Sequence, residues 1–153
     1  MRRLGIVSVV TVLLVALAVP VLAAVTGQTR ARTLTAVLTG DAEVPPNDSP
    51  GVGLAEVTID VRRGVLCFEL TVTGVDPLEP APGAGAAHIH QGAAGTNGGI
   101  VVGFGSEVDD FTTGCLEVEA DLLKELVRSP RGYFVNVHSG AFPGGEIRGQ
   151  LSK

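Results

Sequence analysis

Imidazole is the side chain best suited to ligate a transition metal or move a proton near neutral pH, and this 153-residue chain has three. Two stand on alternate positions, His88-Ile89-His90, beside a glycine-rich stretch at residues 92–99; the third, His138, lies far downstream in YFVNVHSGAFPGGEIRGQ. In an extended strand, residues i and i+2 share a face about 6.5–7 Å apart. His88 and His90 can therefore aim at one ion while Ile89 points into the core. If the strand ending at His138 lies beside the His-x-His strand, the three nitrogens suit Cu(II) or Zn(II): copper by raw affinity, zinc through a tetrahedral site whose fourth position is water. The plainer alternative is a set of histidines hydrogen-bonded to backbone carbonyls, with no ligand at all.

Other chemistry is sparse. The sequence has no P-loop, GxSxG, HExxH or paired CxxC motif, which removes nucleotide-phosphate, serine-hydrolase and zincin readings. Cys67 and Cys115 are the only cysteines. In VLCFELTV the apolar set Leu66, Phe68, Leu70 and Val72 leaves Cys67 on the polar face, and in GCLEVE Leu116 and Val118 leave Cys115 with Glu117 and Glu119. Both thiols fall on the polar parity of strand-like segments, and a bridge between them is expected, the alternative being two free thiols. It would close a loop of about 49 residues and stabilise the fold by about 2–4 kcal/mol.

The elements that must position these groups read as strands. From Thr33 onward, short alternating or apolar runs recur between Gly, Pro, Asn and Asp clusters: 33–39, 54–62, 65–73, 86–91, 100–104, 115–119, 132–138 and 146–151. Arg63-Gly64 reads as a tight hairpin between the second and third runs. One helix interrupts, with Leu122, Leu123, Leu126 and Val127 on one face, starting near Asp121 and stopped by Ser129-Pro130. Residues 40–51 and 74–86 are dense in Pro and Gly and read as loops. In the strand YFVNVH, both alternating sets, Tyr133/Val135/Val137 and Phe134/Asn136/His138, are mostly apolar. Its core-facing side is therefore open.

The first residues, Met-Arg-Arg, precede an uncharged apolar run and then Pro20 and a small-residue segment, the three parts of a secretory signal peptide expected to span 1–23. Residues 24–32 then form a linker and 33–151 the domain. An uncleaved anchor is the competing reading, since the uncharged run could span a bilayer, which takes about 20 residues; a membrane partner is expected only in that case. Without residues 1–23, Lys plus Arg falls from 11 to 9 against 16 acids, a net charge of −7. An acidic domain with no basic-aromatic cluster is a poor partner for nucleic acid. Export places the two cysteines where a disulfide persists.

Three blocks together resemble the CHRD domain, named for its occurrence in chordin and found in secreted bacterial proteins. They are Glu43-Val44-Pro45-Pro46; Ala87-His88-Ile89-His90 followed by Gly92 and Gly95; and Asn136-Val137-His138 leading to Gly145-Glu146-Ile147-Arg148-Gly149-Gln150. The resemblance runs from about Thr33 to Leu151. It implies an all-β, immunoglobulin-like Greek-key antiparallel β-sandwich of about eight strands with one short helix, in a family without a settled activity. It also implies a faint similarity to Cu,Zn superoxide dismutase, in which His88 and His90 resemble the strand-borne copper pair and His138 a later copper histidine. With three histidines the chain cannot supply the remaining ligands of a binuclear site.

The expected function is an exported, non-catalytic binding module whose partner is an unknown protein or cell-surface polymer, holding one Cu or Zn ion through His88, His90 and His138. The alternatives are a dismutase-like metalloenzyme, which needs a cationic approach that only Arg131 and Arg148 offer near the relevant strand ends, and a purely structural extracellular domain.

Overall fold

The period-two alternation that begins at Arg32 folds into eight strands and one helix. The computed structural model describes residues 31–75, 86–105 and 111–153. The expected signal peptide, nearly all of the linker and most of the 74–86 loop lie outside the described residues. The strands are β1 (Arg32–Thr39), β2 (Val52–Asp60), β3 (Val65–Thr73), β4 (Ala87–Gln91), β5 (Ile100–Gly103), β6 (Phe111–Glu117), β7 (Tyr133–Val137) and β8 (Ile147–Gln150), with helix α1 (Ala120–Arg128) between β6 and β7. They form one antiparallel sheet in the order β5-β4-β7-β8-β1-β2-β3-β6.

The sheet curls into a sandwich-like body at the β8–β1 junction, where the named strands share a single ladder pair, Thr39 with Arg148. The backbones approach so closely there that a Cβ on Gly149 would stand 2.1 Å from Val37 O, so only glycine fits. Curling lays the half β5-β4-β7-β8 over the half β1-β2-β3-β6. One apolar core fills the space between, with Leu34, Val57 and Leu70 from one half meeting Ile89, Val135 and Ile147 from the other. Phe68 and Phe104 stack across it, centroids 4.1 Å apart. The all-β sandwich-like architecture that the resemblance implies is therefore present, its two layers being halves of one continuous sheet.

Every strand boundary but the start of β6 falls within two residues of the sequence reading, and the shifts around the β2–β3 connection and β6 have local reasons. The β2–β3 connection is a four-residue loop, 61–64, because Asp60 Oδ1 accepts the N–H groups of Arg62 and Arg63 and ends β2 there; Gly64 supplies the positive φ of 68°. Strand β6 begins at Phe111, before the expected Cys115, and ends at Glu117, because Val118 N–H turns to Gly64 O. The sixth run loses its last two residues for the same reason. Helix α1 buries Leu123 and Leu126, with Leu122 and Val127 at the margin of the core.

Cys67 and Cys115 are direct ladder partners on β3 and β6, with Cα atoms 4.0 Å apart, and they are disulfide-bonded. The bridge lies on the outer face, as the polar parity of both segments required.

Candidate metal centre

Strands β4, β7 and β8 each divide their side chains between two faces. Ile89, Val135, Val137 and Ile147 enter the apolar core, which settles the parity of YFVNVH. The alternate set points to the outer face in two cross-strand rows: His88, Asn136 and Arg148 in one, His90, Phe134 and Gln150 in the other. An outer sheet face is normally wet. This one is buried: His88 is 0% exposed, Arg148 2%, and Phe134 is covered without joining the core.

Three loops roof it. Residues 92–99 fold back over the face, where Arg148 donates to Thr96 O (2.9 Å) and Asn97 Oδ1 (3.2 Å), and Asn97 Nδ2 donates to Val44 O. Gln150 Nε2 shares its two N–H groups among Gly92 O, Arg131 O and Tyr133 O. Gly92 is required because a Cβ would meet the Phe134 ring at 2.9 Å. Residues 40–51 and 139–146 are tied together by Asn47 Nδ2, which donates to Gly145 O and Glu146 O, and by Ser49 Oγ, which donates to Glu146 Oε1 at 2.6 Å. The three blocks singled out in the sequence thus meet in one polar layer.

The histidines converge within it. His138 follows β7 and its N–H donates to Ala86 O, which brings its ring back over His88. The two Nε2 atoms are 3.0 Å apart, and the ligating atoms of His88, His90 and His138 all lie within 4.8 Å of one another. His90 Nδ1 contacts Gly98 O at 2.8 Å and His138 Nδ1 contacts Pro143 O at 3.0 Å. A carbonyl only accepts, so both Nδ1 atoms carry the proton, and in the neutral ring Nε2 is then a bare lone pair. Orientation by a backbone carbonyl is the support that metal-ligating imidazoles ordinarily have. His90 Nε2 is buried and has no hydrogen-bond partner among the described residues. With the His138 lone pair on Nε2, His88 donates its own Nε2–H across the 3.0 Å contact, and to ligate through Nε2 its neutral ring would shift that proton to Nδ1.

The donor set fits a copper or zinc ion. Metal–nitrogen bonds of about 2.0 Å at tetrahedral or trigonal angles require nitrogens about 3.3–3.5 Å apart. The His88–His138 pair would open by a few tenths of an ångström, and the longer separations in the cluster would close. Burial holds the proton affinity of His90 below the ordinary imidazole range, against the opposing pull of its bond to Gly98, with the charges of His138 and Arg148 adding to the lowering. A neutral ring is the ligating form.

Around the histidines the layer carries more than spacing disclosed. The Phe134 ring stacks on His90 at 4.8 Å with planes 9° apart, and the Arg148 guanidinium lies 3.9 Å from the same ring's centroid. Glu43, 6% exposed, reaches in from the residues after β1; burial pushes its carboxyl up to about 7, against the attraction of Arg148 and a backbone bond at Val44. Glu43 Oε1 and the Asn136 amide each lie 2.9 Å from the place a Cβ on Gly145 would take. Glycine there leaves room for both and adopts the φ of 128°. Pro45 and Pro46 are exposed, as is Gly95, whose φ of 77° turns the roofing loop. Of the two cations offered as an approach for an anion, Arg131 is exposed and Arg148 is sealed beneath the 92–99 loop.

Spacing located the three imidazoles but missed Phe134, Thr96 and Asn97. Phe134 and Asn136 share parity with His138, and that parity was the available signal. The roofing partners of Arg148 are a side-chain amide and a backbone carbonyl in a loop, and no pattern marks them.

The family model described as the CHRD domain matches residues 34–151. No curated protein and no solved structure matches the chain.

Proposed function

The chain belongs to the CHRD-domain family, and from that premise we propose that it is an exported, non-catalytic binding module that holds one copper or zinc ion through His88, His90 and His138. The observation that carries the proposal is the convergence of three ligating nitrogens within 4.8 Å on a roofed, buried face, two of the rings being fixed by backbone carbonyls in the tautomer that presents Nε2. The disulfide suits an oxidising compartment. Its partner is a protein or a cell-surface polymer met at the loops.

The direct His88–His138 hydrogen bond supports a second reading, a purely structural layer in which the imidazoles satisfy one another. A dismutase-like metalloenzyme is the third. Calorimetric titration of the purified protein with Cu(II) and Zn(II), repeated with His88→Ala, His90→Ala and His138→Ala, separates them. One equivalent bound, weakened at least about tenfold by each change, supports the shared site. Weak binding unchanged in all three variants supports the structural reading, and superoxide turnover by the loaded protein supports the enzyme.

A further inference from the structure

We propose that the three-histidine site selects its ion by charge, taking monovalent copper in preference to zinc and other dications, and that Arg148 sets the preference. The inference rests on the metal-binding reading above and adds which ion and why.

The donor set is neutral. Gly98 O and Pro143 O accept from the Nδ1–H groups of His90 and His138, and neither carbonyl can take the proton to leave an imidazolate. Among the described residues no carboxylate or thiolate joins the cluster. A dication held by three neutral rings keeps both its charges under the roof, and a monocation keeps one; the penalty for holding charge away from water rises steeply with that charge.

The nearest fixed charge has the wrong sign for a dication. The Arg148 guanidinium and the His90 ring both pack on the Phe134 ring, 3.9 Å and 4.8 Å from its centroid, which keeps that positive charge close to the cluster. The repulsion on a dication is twice that on a monocation at the same place. The acids of the layer stand outside the ligating cluster. Glu43, the carboxyl coupled to Arg148, titrates near 7 and carries partial charge at neutral pH. Glu146 Oε1 accepts from Ser49, and Asp41 lies exposed at the mouth of the cleft that Glu43 and Arg148 line. Imidazole discriminates further among ions of single charge, binding copper and leaving alkali metals to oxygen donors. Copper(I), with its single charge, is content with three donors, and zinc takes a fourth.

The test is an anaerobic competition on the purified protein, with copper(I) measured against bicinchoninate and zinc against a chromophoric chelator. The wild type should bind one copper(I) tighter than zinc by on the order of 100-fold, and Arg148→Met should lower that ratio by on the order of tenfold by strengthening zinc more than copper. Arg148→Lys, which keeps the charge, should preserve the ratio, and it decides the role of Arg148 if the methionine variant does not fold. Zinc bound as tightly as copper(I), with both lost in His138→Ala, overturns the selectivity and leaves the three-histidine site standing. Neither ion bound overturns both. A ratio unchanged in a folded Arg148→Met protein, or lost in Arg148→Lys, overturns the assignment to Arg148.

Discussion

The two outer faces of this sheet obey the same alternation and meet opposite fates. On β1 and β2, Val37 and Leu54 are ladder partners that stand 70% and 47% exposed, beside a threonine pair, Thr33 with Thr58, that hydrogen-bonds in the open. On β4, β7 and β8 the outer residues His88, Phe134, Asn136 and Arg148 are buried, and His90 and Gln150 are half-buried. The apolar side chains are left wet and the polar ones are sealed, the reverse of what composition alone would assign. The cause is in the loops: residues 40–51, 92–99 and 139–146 all fold over one half, and the other half is covered by none of them. Desolvating a polar layer under such a roof is offset where its groups find partners. The roof is therefore held by hydrogen bonds to Arg148, Gln150, Asn47 and Ser49.

This contrast can be tested by treating the two faces alike. The largest effect belongs to the bare half, through its covalent link. Replacing Cys67 and Cys115 by alanine should lower unfolding free energy by about 2–4 kcal/mol in denaturant titration, with metal affinity unchanged because β3 and β6 carry no ligand. Next, Gln150→Ala on the roofed half removes the donor shared by Gly92 O, Arg131 O and Tyr133 O, and should cost about 1–3 kcal/mol. A cost near zero would show that the roof does not depend on those bonds.

A smaller effect separates the faces by pH. The Glu43 carboxyl titrates higher in the folded chain than in an unfolded one, 4.5 rising to about 7, so the native state holds the extra proton between those values. Stability from this group is present below about 4.5 and is lost as pH rises through 7. His90 acts oppositely: its folded pKa is depressed below 6.5, so its contribution is lost as pH falls. Glu43→Gln should remove only the first slope, gaining about 1 kcal/mol relative to wild type between pH 5 and 8 once solvent screening is allowed for. Equal pH profiles for the two proteins would contradict a buried neutral Glu43. The smallest effect is Val37→Thr on the bare face, which should stay within about 0.5 kcal/mol. A larger loss would mean that this face is covered after all.

Alternation made the strands legible because one face of each is apolar, and it placed both cysteines and the histidine pair on the outer parity without any knowledge of topology. Pairing is a different kind of information. Neither the β4–β7 register that opposes His88 to Asn136 nor the close approach of β8 to β1 is marked by a pattern, and Gly149, which permits the second, is one glycine among 21. The roof was less legible still. Residues 92–99 read as a turn leaving the His-x-His strand, which they are, but their second role comes from backbone carbonyls at Thr96 and Gly98 that every residue type possesses. Likewise Glu43 in a Pro-rich loop gave no sign of being buried, since burial depends on Gly145 standing opposite it.

The central claim is that one ion would sit among three imidazoles of the roofed face. X-ray absorption at the metal edge of the loaded protein measures this without reference to activity. Three imidazole nitrogens at about 2.0 Å from a single ion are expected, falling to two in His138→Ala. A first shell dominated by water or carboxylate oxygen, or one that the His138 change leaves as it was, would contradict it.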